Sequence, residues 1–225
     1  MNRQGIFTKK TAVIFFMCLL FTATAQAHSI NYALEHAPAG EVWWYYMKLG
    51  FSHIIPAGAD HILFVMGLCL LSTNIKTILW QATAFTVAHS ITLALSMQNI
   101  FAAPAAVVEP VIALSILFVA IENILLAQLK PWRIAIVFLF GLIHGMGFAS
   151  ALNETGLPPG KFYTSIIAFN AGVELGQVAI ITAMFGLLII PLRNKSWYRK
   201  TIVHGLSFFI AAVAMFWTVQ RIFFV

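Results

Sequence analysis

The stretch Gly50-Phe51-Ser52-His53-Ile54-Ile55-Pro56-Ala57-Gly58-Ala59-Asp60-His61-Ile62-Leu63-Phe64 carries three possible metal or proton ligands into the start of a strongly apolar segment. An ionisable side chain beside or inside a membrane span is costly, so His53, Asp60 and His61 read first as functional residues. Pro56 and Gly58 lie between the two histidines, where they break the helix and turn the chain. The two imidazoles can then converge instead of lying strung along one rod.

The composition says what kind of chain surrounds this stretch. Of 225 residues, 61% are hydrophobic and only 9% charged, with a mean hydropathy of +0.91. Soluble domains average roughly 25% charged residues, so these figures describe a polytopic helical membrane protein. The formal net charge of +6 does not point to nucleic acid, because no basic stripe with interleaved aromatics is present. Cys18 and Cys69 form no CxxC pair, which argues against a thiolate metal site and a disulfide.

Residues 1–27 read as a cleavable signal peptide: basic Arg3, Lys9 and Lys10, a short apolar core, and Ala25-Gln26-Ala27 as the small-x-small cleavage pattern. Cleavage there makes His28 the first residue, whose amine and imidazole together suit copper or nickel. Residues 28–58 are then a periplasmic segment and an interfacial or half helix, marked by Trp43, Trp44, Tyr45 and Tyr46. Residues 59–225 are a transmembrane helix bundle, all-α, with six spans expected at about 59–73, 77–98, 105–128, 132–150, 162–190 and 201–222. Lys76, Lys130, Arg133, Arg193, Lys195, Arg199 and Lys200 fall on one side of this topology, and Lys48, Lys161 and Arg221 on the other. The positive-inside rule places the first set in the cytoplasm, and both mature termini in the periplasm of a cytoplasmic (inner) membrane.

With that topology, separate helices deliver polar residues to the outer half of the bilayer: His61, His89, Glu109, His144 and Glu174. The expected metal ligands are His53, Asp60, His61, His89, His144 and Glu174, with His28, Glu109, Asn170 and Gln177 as further candidates. Asn170, Glu174 and Gln177 fall at i, i+4 and i+7, a polar stripe that faces the bundle interior or a water path. Gly141 and Gly145 flank His144 as a small-xxx-small face that packs against a neighbouring helix. Glu122 points elsewhere and supports the structure, pairing with Asn123, Lys130 or another helix; His204 and His36 lie away from the cluster. Neutral imidazole with carboxylate suits a divalent transition ion: nickel or cobalt, with zinc, copper or iron also compatible.

Five ordered segments, Gly50–Phe64, Ala84–Leu93, Val108–Ile116, Gly141–Ala149 and Phe169–Gln177, resemble the HupE/UreJ family of hydrogenase and urease accessory membrane proteins. The resemblance covers residues about 50–185. It implies a histidine-rich integral membrane protein acting as a secondary carrier for nickel or cobalt, with hydrogenase or urease maturation proteins as possible partners. His53, Asp60 and His61 match the family's His-and-Asp-His motif. A different class of function uses the same residues: an intramembrane metal-dependent enzyme, a hydrolase or oxidase, in which the ion activates water or oxygen. No nucleotide-binding loop is present, which sets ATP-driven pumping aside.

Overall fold

The computed structural model describes residues 33–101, 103–155, 157, 158 and 160–224. The expected signal peptide, its cleavage site, Cys18 and His28 lie outside the described residues. Among the described residues the protein is all helical: α1 Ala39–Ile54, α2 Ala59–Leu70, α3 Ile75–Met97, α4 Ala105–Leu125, α5 Arg133–Thr155, α6 Phe162–Leu192 and α7 Tyr198–Phe223.

Helices α3, α4, α6 and α7 are long and apolar enough to cross a bilayer, and α1 with α2 qualifies as a further, broken span bent by 70°. A rise of about 1.5 Å per residue makes roughly 20 residues the working minimum. The apolar part of α5, Arg133–Ala149, falls short of that length. Length and apolarity therefore support four or five spans where the sequence suggested six. The surface matches a multi-pass membrane protein, since Leu187, Phe208, Phe216 and Phe223 all stand outward.

The break between α1 and α2 falls where Pro56 and Gly58 were expected to place it. The Ile55–Pro56 peptide is cis, and Gly58 is the N-cap of α2. A side chain at Gly58 would run into the His53 carbonyl, so only glycine lets the turn close this tightly. Helix α1 does more than lie at an interface: Val42, Tyr46, Gly50 and Ile54 form its buried face. Gly50 and Gly172 let α1 and α6 approach until a Cβ on either would strike the other's backbone.

The same device joins α3 to α5. Gly141 sits on the Phe85 backbone and Gly145 on that of His89, as the small-xxx-small face predicted. Helix α7 runs antiparallel along α4, with Arg199 donating to the Leu126 and Ala127 carbonyls at one end and Arg221 to the Glu109 carbonyl at the other. Helix α2 lies among these pairs, packed on α4 and α6.

Two loop cations turn out to be structural. Arg133 is buried, 3.1 Å from Glu122 Oε2, and donates to Asn123 Oδ1 at 3.2 Å, while Asn123 Nδ2 donates to the Gly67 carbonyl. Glu122 was expected to pair with Asn123, Lys130 or another helix, and its partner is Arg133 at the start of α5. A buried pair of this kind is strongly destabilising to break, by about 3–5 kcal/mol, because one charge is left uncompensated. Lys161 caps the carbonyls of Leu34, Glu35 and Ala37.

Candidate metal centre

The bend in the α1–α2 pair decides the site. His53, in the last turn of α1, and His61, in the first turn of α2, meet edge to face with ring centroids 4.7 Å apart. Helix α3 adds His89, 6.2 Å from His53 and 6.0 Å from His61 between centroids. One nitrogen from each of these three rings lies within 4.8 Å of the other two. In each ring Nε2 is buried and has no hydrogen-bond partner. Orphaned buried polar atoms are costly, and three on neighbouring rings ask for partners. Ligand nitrogens on a tetrahedral ion at about 2.1 Å stand roughly 3.4 Å apart, so small rotations of these rings fit the set to a metal.

Proton counting assigns the free lone pairs. Asn170 Nδ2 donates to the Ile166 carbonyl at 2.8 Å, which turns Asn170 Oδ1 towards His89 Nδ1 at 3.3 Å. An amide oxygen only accepts, so His89 Nδ1 carries the proton and Nε2 keeps its lone pair. A ligating histidine held through its other nitrogen is the common arrangement in metal sites.

His144, from α5, stands 5.1 Å from His61 between ring centroids. Ser115 Oγ donates to the Ile112 carbonyl at 2.7 Å and so accepts from His144 Nε2 at 3.0 Å. That leaves His144 Nδ1 with a lone pair, buried and unpartnered. Phe64, Phe85, Phe148 and Phe169 wall the four rings. Such walls exclude water and strengthen polar contacts inside.

The carboxylates take other places. Asp60 is held by Arg221 Nη2 at 2.9 and 3.1 Å, and the Arg221 guanidinium also stacks over Trp217. Asp60, Glu109, Arg221 and Trp217 line, with His53, His61 and His144, a cavity of about 420 Å³. The cavity reaches His53, His61 and His144, and His89 is not in its lining. Glu109 lies in the second turn of α4, which begins at Ala105 and holds Pro110 inside it. Glu174, one turn beyond Asn170 on α6, accepts a hydrogen bond from Thr83 at 2.6 Å. Gln177 lies 3.2 Å from Thr86. His204 opens the α-helical part of α7, apart from the cluster.

Sequence reading missed Arg221, Ser115, Thr83 and Thr86. Only Thr86 left a trace, three residues before His89 and so near its face of the helix, whereas Thr83, six residues before, points about 120° away. Arg221 read as an external loop charge, and nothing in its neighbourhood separates it from one.

Fold and site together define a class: multi-pass helical membrane proteins with a buried cluster of neutral nitrogen donors. Within that class the chain belongs to the HupE / UreJ family, whose model, described as HupE / UreJ protein, matches residues 31–221. No curated protein and no solved structure matches the chain.

Proposed function

We propose that this protein binds a divalent transition metal, nickel or cobalt, and carries it across the cytoplasmic membrane from the periplasmic side. The observation that carries the reading is that His53, His61 and His89 each bring one ring nitrogen within 4.8 Å of the other two, and that each leaves Nε2 buried without a partner. His144 supplies a fourth donor through Nδ1. Neutral imidazoles hold borderline divalent ions without adding charge to the bilayer interior. Asp60 and Glu109 attract the cation into the approach cavity, and Arg221 keeps Asp60 engaged until it arrives. Family membership supports a role beside hydrogenase or urease maturation, whose proteins are the proposed partners.

The orientation we propose counts α5 as a sixth crossing and rests on the positive-inside rule: Lys76 at the start of α3, with Lys130, Arg193 and Lys195 in connections, faces the cytoplasm, and both mature termini lie in the periplasm. Arg133, buried against Glu122, no longer counts among the loop charges.

The test is bound metal and uptake on one detergent-purified preparation. His61→Ala and His144→Ala each lower nickel affinity by at least tenfold, whereas His204→Ala leaves it within about twofold. Reconstituted wild type takes up nickel or cobalt saturably, and His61→Ala does not. Equal losses at all three positions would sink the site. Metal held at fixed stoichiometry without uptake turns the reading to the intramembrane enzyme.

A further inference from the structure

We infer that Thr83, Thr86, Glu174 and Gln177 form a second cation site, built from oxygen donors and separate from the histidine cluster, on the way to the Lys76 end of the bundle. The inference rests on the transport reading, since a carrier needs a polar step beyond its capture site. It gives Glu174 a place other than among the ligands of the histidine cluster.

Four observations support it. Glu174 Oε1 is engaged by Thr83 Oγ1 at 2.6 Å, but Glu174 Oε2 is buried without any hydrogen-bond partner. A carboxylate oxygen left bare in a low-dielectric interior is expensive unless a cation or proton joins it.

Gln177 is fully buried and stands three residues along the same helix, so its amide neighbours that carboxylate. Thr86 Oγ1 is 3.2 Å from both the Ala82 carbonyl and Gln177 Oε1, and its one proton serves only one of them, while Gln177 Nε2 is buried without a partner. Given to Ala82, that proton lets the Gln177 amide exchange its ends, Nε2 donating to Thr86 and the oxygen taking the place that Nε2 held.

The position is also suitable. Thr83 is six residues before His89, about 9 Å of helix, and Glu174 is one turn beyond Asn170. The layer therefore begins where the histidine cluster ends. Thr83 also lines a cavity of about 290 Å³ with Lys76, Leu79 and Trp80. Glu122 and Asn123 offer no such polar step, being committed to Arg133 and the Gly67 carbonyl. An all-oxygen site holds a borderline ion less tightly than a nitrogen cluster, which suits a step that must release its cargo.

Cobalt(II) is the probe. Equilibrium dialysis with absorption spectroscopy on the full-length protein should resolve two classes of site in wild type. One is tight, with the intense ligand-field bands of a tetrahedral nitrogen site; the other is weaker and pale, as six-coordinate oxygen sites are. Glu174→Gln keeps an acceptor for Thr83, so the helices stay tied, yet it removes the charge. It should weaken the second class at least tenfold and leave the tight bands unchanged. His61→Ala should do the reverse.

One class or none in wild type overturns the inference. So does a Glu174→Gln protein that retains both classes, or one that loses the tight bands as His61→Ala does. Two classes behaving as expected, but with no cobalt uptake into proteoliposomes, would uphold the second site and remove the transport reading instead.

Discussion

At the scale of single residues, the histidine cluster depends on side chains outside it. Asn170 is a positioning residue: its oxygen holds the proton on His89 Nδ1 and so keeps Nε2 free. Asn170→Leu removes that constraint, and nickel affinity is expected to fall about 10- to 100-fold. Asn170→Asp keeps an acceptor at the same place and should recover most of the loss. Nitrogen-15 NMR on the metal-free protein checks the cause directly, because the two neutral tautomers of histidine have distinct shifts. If His89 keeps its Nδ1 proton in Asn170→Leu, the positioning role fails whatever the affinity does. Ser115 acts in the same way on His144, from the other face of the cluster.

At the scale of helices, glycine contacts set where the histidines stand. His144 reaches the cluster because Gly141 and Gly145 allow α5 to lie on the backbone of α3. Gly145→Ala places a methyl group against the His89 carbonyl and the Thr92 hydroxyl. The helices must separate, at a cost of about 1–3 kcal/mol for an overpacked contact. A lower Tm with weakened metal affinity is therefore expected. Gly205→Ala is the matched comparison, for nothing lies within 4 Å of the added atom. There the substitution should leave affinity alone and stabilise the helix by roughly 0.5–1 kcal/mol. Equal effects at the two glycines would mean that close packing does not place His144.

For the whole molecule, orientation is the property that sequence charge predicts and the helices alone do not. In a Cys69→Ser background, Gly40→Cys and Ser196→Cys place thiols at opposite ends; both positions are exposed. A membrane-impermeant maleimide should label Gly40→Cys from the periplasm and Ser196→Cys only after the cytoplasmic face is opened. The reverse pattern would invert the direction of transport and place the Asp60–Glu109 cavity on the cytoplasmic side.

What the sequence determined by itself is what local chemistry decides. Low charge and long apolar runs make membrane helices, Pro56 and Gly58 break the chain between His53 and His61, and the period of α6 aligns Asn170, Glu174 and Gln177 on one face. The family was legible too, since five ordered motifs run through one chain. Tertiary structure alone decided which of the polar residues share a site. Of His53, Asp60, His61, His89, His144 and Glu174, the three histidines of α1, α2 and α3 bring one nitrogen each within 4.8 Å of the others, and His144 stands beside His61. Asp60 is taken by Arg221, 161 residues away, and Glu174 by Thr83, 91 residues away. Sequence spacing cannot forecast such partners, because a hydrogen bond acts over about 3 Å and which helices come that close is set by packing. In this bundle that packing is decided by a 70° bend and a few glycines that let backbones touch.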